Sequence, residues 1–198
     1  MADALPAGAQ KAPAPSWLNL PGPPPSAEVE AVLDRTKEKL GYVRNGQTAL
    51  LARPELVLAQ DALSRAVNAN PASTLSPRER ELIALVVSSE NRCEPCVLGH
   101  ASALRGITGD AFWVERVQVN HRHAPLSVRE RALADYALAI TRAPGAIEPD
   151  DLGRLRAAGL SEAEILDAAA IAAYFNFSNR INSAIGVAPN PEAYAAHR

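Results

Sequence analysis

The chain has 198 residues, of which 47% are hydrophobic, and that is enough to bury a core without disulfide or metal staples. Its formal net charge is −2 at pH 7 and only 5% of its residues are aromatic. This balance gives no electrostatic case for a nucleic acid or an anionic membrane as a partner. No apolar run approaches the ~18 residues needed to cross a bilayer.

The first 25 residues are rich in proline and alanine, a composition that disfavours a helix and predicts an extended segment over residues 1–25. The segment lacks the basic and apolar regions of a secretion signal, so a cytoplasmic location is expected. Within it, the sequence SWLNLP contains three large apolar residues, Trp17, Leu18 and Leu20, which are unusual in a disordered tail. We expect this patch to dock on the body of the protein or on a neighbouring subunit.

From Ser26 onward the sequence predicts one all-α domain, over residues 26–198, of about eight helices. Three helix starts carry the same signal, a serine three residues before a glutamate, which is the capping box, with a leucine just before the serine. The first two copies share the longer pattern LSxRER, which is consistent with a duplicated helical unit. The pairs are Ser76/Glu79, Ser127/Glu130 and Ser161/Glu164.

Both cysteines of the chain, Cys93 and Cys96, stand in the segment RCEPCVLGH, and His100 follows four positions after the second. Proline is tolerated in the first turn of a helix and not beyond it, so Pro95 predicts a helix that begins within residues 91–93. Side chains three and four positions apart share a helix face. The two thiols and the imidazole should therefore line one side of this helix, at its N-terminal end.

Three interpretations of this cluster compete. Cα atoms three apart on a helix lie roughly 5–6 Å apart, within disulfide range, and a helix N-terminus favours thiolate over thiol, as a redox pair needs. A zinc site would need a fourth ligand, for which His121 and His123 are the candidates. Simple packing is the third. In a reducing compartment this cysteine spacing favours the redox pair, which requires no metal and no other cofactor.

The polar segment YFNFSNRINSAIG contains three asparagines and an arginine within seven residues. Helical spacing puts Phe175, Asn179 and Asn182 roughly on one face. Because buried polar groups need partners, we expect this face to line a pocket or an interface. Elsewhere, Phe112 and Trp113 are expected to anchor the core or an interface. His121 and His123 are expected in a turn between helices, at the surface.

The stretch LSPRERELIALVVSSENRCEPCVLGH resembles the AhpD-like, carboxymuconolactone decarboxylase superfamily. Four further segments resemble the branch of that superfamily called peroxidase-related proteins, and the resemblance covers nearly all of residues 17–187. The four are SWLNLP, KLGYVRN, LSVRERALADYALAITRAPG and YFNFSNRINSAIGV.

The resemblance implies an all-helical fold, usually a homo-oligomer, that reduces hydroperoxides with a cysteine pair. Carried over by position, Cys96 would attack the peroxide, Cys93 would resolve the product as a disulfide, and His100 and Glu81 would form a proton relay. An external dithiol or redox protein would then restore the pair. The choice of Glu81 rests on the resemblance alone, because helical periodicity does not select it over Glu79.

The chain departs from AhpD between its cysteines, where AhpD has a histidine before the second cysteine and this chain has Pro95. Glu94 adds a negative charge that disfavours a thiolate. A thioredoxin-like assignment, with Cys93 as the nucleophile, would reverse the roles of the two thiols. A decarboxylase-like enzyme of the same superfamily and a non-enzymatic redox sensor or zinc-binding protein are two competing functional hypotheses.

Overall fold

The described part of the chain, residues 14–198 of a computed structural model, is built from α-helices and contains no strand. Eight of its helices have at least nine residues, which confirms the predicted all-α fold of about eight helices. In chain order they are α1 (Ala27–Leu40), α2 (Asn45–Ala49), α3 (Pro54–Asn68), α4 (Pro77–Glu90), α5 (Glu94–Thr108), α6 (Ala111–Asn120), α7 (Val128–Arg142), α8 (Pro149–Ala157), α9 (Glu162–Ala184) and α10 (Pro191–Ala195), with short 3-10 turns at His121–His123 and Pro144–Ala146.

The central helix is α4, which contacts α5, α6, α7 and α9. Its residues 82–87 form an uninterrupted apolar run, and every one of them is buried. A helix that is apolar all round has to be enclosed by others, and this run explains why α4 lies inside the bundle. A smaller cluster of Val29, Val32, Leu50 and Val57 joins the N-terminal helices to α9.

The three predicted capping boxes are all present. At the starts of α4, α7 and α9 the serine hydroxyl accepts the glutamate N–H, and the glutamate carboxylate accepts the serine N–H. Each box satisfies two backbone donors that the helix itself leaves unpaired. The helix starts predicted from these signals are therefore confirmed.

The two LSxRER segments also bind each other. Arg78 of α4 donates to Glu130 of α7 at 2.6 Å, and Arg129 of α7 donates to Glu79 of α4 at 2.6 Å. Arg129 also donates to Glu164, the capping-box glutamate of α9, at 2.6 Å. The repeated start signals thus converge on one ion-paired junction, and α4 and α7 make equivalent contacts within it.

The N-terminal segment lies against the C-terminal end of α9. Of the predicted extended segment, residues 1–13 lie outside the described residues, and residues 14–25 contain no helix. The Trp17 N–H donates to the carbonyl of Ile185, and the Ala188 N–H donates to the carbonyl of Pro15, both at 3.0 Å. The Trp17 ring covers Gly186, while its outer face is exposed. The segment is therefore bonded to the body as expected, but the large apolar side chains Trp17, Leu18 and Leu20 remain exposed.

The expectations about aromatic and histidine side chains are met in part. Trp113 is buried in the core and its indole donates to the carbonyl of Pro125 at 2.9 Å, whereas the neighbouring Phe112 is 75% exposed, which leaves an interface as its expected place. His121 lies in the expected turn but is buried, 3.2 Å from a carboxylate oxygen of Asp135. Burial lowers the pKa of His121 despite this carboxylate.

Within residues 14–198, none of the helices combines the length and the apolar character needed to cross a bilayer.

Candidate functional site

Both cysteines lie at the first turn of α5, where they form a disulfide. Cys93 is the N-cap residue and Cys96 is the third residue of the helix, so the helix starts where Pro95 predicted. Their Cα atoms are 5.3 Å apart. The two differ in accessibility, since Cys93 is completely buried and Cys96 is 9% exposed. Cys96 is therefore the more exposed residue of the pair.

A tight turn sets the position of this pair. Arg92 adopts a left-handed conformation, with φ of 53°. Its N–H donates to the carbonyl of Ser89, and the Cys93 N–H donates to the carbonyl of Ser88, both at 3.1 Å. This is the Schellman arrangement that closes a helix. Cys93 thus ends the closing turn of α4 and begins α5, which fixes the cysteine pair to the central helix.

His100 lies one turn beyond Cys96 on the same face of α5 and is paired with Glu81 of α4. The distance from His100 Nδ1 to the Glu81 carboxylate is 2.8 Å, and the two side chains are only 18% and 27% exposed. The edge of the imidazole meets the ring of Phe175, with centroids 4.4 Å apart. The imidazole is thus held between a carboxylate and an aromatic ring.

A further polar side chain reaches the site from α9. Asn182 Nδ2 donates to Cys96 Sγ at 3.4 Å. Gly46 of α2 lies against the same amide, since a Cβ added to this glycine would stand 3.2 Å from Asn182 Oδ1. The site is therefore enclosed by α2, α4, α5 and α9.

The comparisons with known proteins support the family suggested by the sequence. The family model described as carboxymuconolactone decarboxylase matches residues 54–110, which include both cysteines. A solved structure of an uncharacterized peroxidase-related protein from Silicibacter sp. TM1040 is 36% identical, with a TM-score of 0.88, and covers 96% of this chain and 100% of that one. The chain belongs to the AhpD-like, carboxymuconolactone decarboxylase superfamily.

Other solved structures extend the likeness. An uncharacterized peroxidase-related protein from Ralstonia eutropha JMP134, described as an alkylhydroperoxidase AhpD core, is 31% identical, with a TM-score of 0.83, and covers 94% of this chain and 95% of that one. The debrominase Bmp8 is 22% identical, covers 85% of this chain and 89% of that one, and has a TM-score of 0.73, which shows a shared fold. No curated protein matches the chain.

The structure of this AhpD-like chain brings together the four residues selected from the sequence, Cys93, Cys96, His100 and Glu81. Sequence reasoning missed the contact of Asn182 with Cys96. The signal for it was the asparagine-rich face of α9, which indicated a pocket or interface but not a partner. The partner lies 86 positions away in the chain, beyond any local pattern.

The two other asparagines of this segment, Asn176 and Asn179, tie α9 to the closing turn of α4. The Asn91 amide donates to Asn176 at 3.0 Å and to Asn179 at 3.1 Å, and the buried Asn179 amide donates to Ser88 at 3.1 Å. The turn that carries Cys93 is thus bonded to α9 as well as to α4. These contacts explain how buried amides are accommodated in a long apolar helix.

The zinc interpretation has no ligand set in the described part of the chain. Among residues 14–198, no group of three or more His, Cys, Asp or Glu side chains is arranged to hold a metal ion. His121, which the sequence offered as a ligand, is bound to Asp135 instead.

Proposed function

We propose that this AhpD-like protein is a thiol-dependent hydroperoxide reductase, with disulfide oxidoreductase chemistry at the same cysteine pair. The observation that carries the proposal is the Cys93–Cys96 pair at the start of α5, with His100 one turn further on and hydrogen-bonded to Glu81 of α4. The family membership and the peroxidase-related names of two similar proteins support it.

In this proposal Cys96 is the nucleophile, because it is the more accessible thiol. The unpaired N–H groups and the positive end of the helix dipole favour its thiolate form. Glu94, which should oppose the thiolate, is exposed, so solvent and salt screen its charge. The thiolate attacks one peroxide oxygen, the O–O bond breaks, and the products are a sulfenic acid on Cys96 and an alkoxide.

His100 moves the protons of this step. A carboxylate only accepts hydrogen bonds, so we assign the ring proton to Nδ1, which donates to Glu81, and leave Nε2 as the nitrogen that exchanges protons. Nε2 accepts the thiol proton of Cys96 and then gives it to the leaving alkoxide, which departs as an alcohol. Glu81 fixes the tautomer and stabilises the imidazolium that forms in between.

Cys93 resolves the sulfenic acid. Its sulfur attacks the Cys96 sulfur, a disulfide forms, and water leaves. The Cα separation of 5.3 Å lies within the ordinary disulfide range, so the backbone at the start of α5 accommodates the product of this step. An external dithiol or a redox protein then reduces the disulfide by thiol–disulfide exchange.

We also propose that the protein assembles as a homo-oligomer, as the family resemblance implies. The single chain leaves several large apolar side chains exposed, and an apolar surface of this kind is typical of an interface where the side chains form a contiguous patch. Sedimentation equilibrium measures the assembly directly. The most exposed of these side chains are Trp17, Phe112, Val119, Val128 and Leu166.

The test is peroxide consumption with a small dithiol as reductant. Cys96→Ser should abolish turnover, because no sulfenic acid can form. Pre-reduced Cys93→Ser, freed of dithiol, should consume about one peroxide per chain and then stop, and mass spectrometry of the trapped protein should find the sulfenate on Cys96. If both variants retain wild-type turnover, the proposal is wrong.

A further inference from the structure

We infer that Asn182 stabilises the Cys96 thiolate by a hydrogen bond to its sulfur and that Gly46 leaves the room that the Asn182 amide needs for this contact. This inference deepens the proposed function and rests on it. The observation is the 3.4 Å contact from Asn182 Nδ2 to Cys96 Sγ. Within the described residues, Cys96 accepts a side-chain N–H and Cys93 does not.

The hydrogen bond from Asn182 favours the deprotonated form of Cys96, the thiolate. In the structure Cys96 Sγ belongs to a disulfide, and there the amide meets a weak, neutral acceptor. After reduction the same N–H faces a sulfur that is either a thiol or a thiolate. A hydrogen bond to the charged form is the stronger of the two, so the donor favours the thiolate and lowers the pKa of the thiol. Because an amide does not titrate, this effect is the same at every working pH.

The absence of a side chain at Gly46 leaves space for the Asn182 amide beside Cys96. Gly46 faces its Oδ1, and a side chain at that position would come within 3.2 Å of the oxygen, closer than ordinary contacts allow. The helix that carries Gly46 is itself tied down, since the backbone N–H of Asn45 donates to Asn190 at 2.9 Å and its side chain donates to the carbonyl of Ala188 at 3.0 Å. Gly46 is therefore fixed at a place where any larger residue would push against the amide.

This arrangement divides the work at Cys96 between two groups. His100, paired with Glu81, removes the thiol proton, and Asn182 holds the negative charge that is left on the sulfur. The hydrogen bond from Asn182 also distinguishes the two thiols. The spacing of the cysteines alone does not decide which of them is the nucleophile. The donor on Cys96 adds to its greater exposure in making this residue the nucleophile. Asn182 acts through Cys96, so it is a positioning residue.

The experiment measures the Cys96 thiolate itself. In a Cys93→Ser background, the thiolate absorbance is titrated with pH, and the rate of alkylation by iodoacetamide is followed at about pH 6. Asn182→Ala should slow alkylation by about 3- to 10-fold, because a hydrogen bond to a charged group is lost. Asn182→Asp should slow it further, since it places a carboxylate beside the sulfur. Ser183→Ala, the exposed neighbour on α9, should match the parent protein.

A second variant keeps the inference testable if Asn182→Ala does not fold. Gly46→Ala leaves the amide in the chain but displaces it, so alkylation should slow by about 2- to 3-fold. Thiolate titration does not require peroxide, so failure of the proposed function and failure of this inference are separate results. If peroxide is consumed while the Asn182 and Gly46 variants titrate and alkylate like the parent protein, Asn182 has no role at the sulfur. If alkylation slows in a protein that consumes no peroxide, the inference stands and the peroxidase proposal fails.

Discussion

Glu81 can stay partly buried beside the apolar run of α4 because its carboxylate has a partner, His100 Nδ1 at 2.8 Å. Glu79, two positions earlier, faces another direction and serves the helix start instead, where it binds Ser76 and Arg129. Side chains two apart on a helix do not share a face. Two glutamates so close in sequence therefore have separate tasks, one in the candidate site and one in the scaffold.

At this scale we predict that His100→Gln lowers kcat/KM for peroxide by about 10²- to 10³-fold, because the amide can accept a hydrogen bond but cannot carry the proton. Steady-state peroxide consumption with a dithiol measures the loss. His123→Gln replaces an exposed histidine and should leave the rate unchanged. Equal rates for the two variants would contradict the proton relay.

At the scale of elements, the junction of three helix starts depends on Arg129. Its guanidinium binds the capping-box glutamates of α4 and α9, both of which have side chains about nine-tenths buried. The hydrogen bond from Arg129, with further donors from Ser161 and Thr74, lowers the pKa of Glu164 to about 2. Removing the arginine would leave two buried carboxylates without their counter-ion.

We predict that Arg129→Ala lowers the free energy of unfolding at pH 7 by about 2–3 kcal/mol, measured by urea denaturation. Because the folded-state pKa of Glu164 is depressed, its contribution is present above the unfolded value, near 4.5, and is lost as the pH falls toward about 2. The loss of stability across that window should be smaller in the variant. Arg154→Ala, which breaks an exposed pair with Asp151, should cost less than about 0.5 kcal/mol. An equal cost for both variants would refute the junction's role.

At the scale of the whole molecule, the candidate site forms where two hydrophobic clusters meet on α9. The main cluster includes Leu104 and Ala101 of α5, the helix that carries Cys96. The smaller cluster packs Ile181 and Ile185, on either side of Asn182, against the N-terminal helices. The contact between Asn182 and Cys96 therefore requires both clusters to be assembled.

The N-terminal segment covers the end of α9 at Gly186, and we predict that Gly186→Ala detaches it. This glycine has φ of 60°, and an added Cβ would collide with the Trp17 ring. Gly109→Ala is the matched control, since its φ is 65° but nothing lies within 4 Å of the added Cβ. Both substitutions should cost about 1–2 kcal/mol in backbone strain. Only Gly186→Ala should speed proteolytic cleavage within residues 14–25, mapped by mass spectrometry, and equal cleavage in both would contradict the docking.

The amino-acid sequence by itself determined the features that depend on neighbours a few positions apart. The capping boxes at Ser76, Ser127 and Ser161 each pair the serine with a glutamate three residues later, so the sequence pattern predicts them. The same holds for the start of α5 at Cys93 and for the Cα separation of the two cysteines, which is short enough for a disulfide. The all-α fold follows from a succession of such local signals.

The tertiary structure alone decided which distant groups meet. The folded structure pairs Glu81 with His100 and brings the Asn182 amide into hydrogen-bond contact with Cys96 Sγ. It also buries His121 and leaves Phe112 exposed. Helical periodicity assigns a residue to a face of its own helix, but packing decides what that face meets. The contact that most sharpens the candidate site joins residues 86 positions apart, and it exists only because α9 crosses the start of α5 in the folded chain.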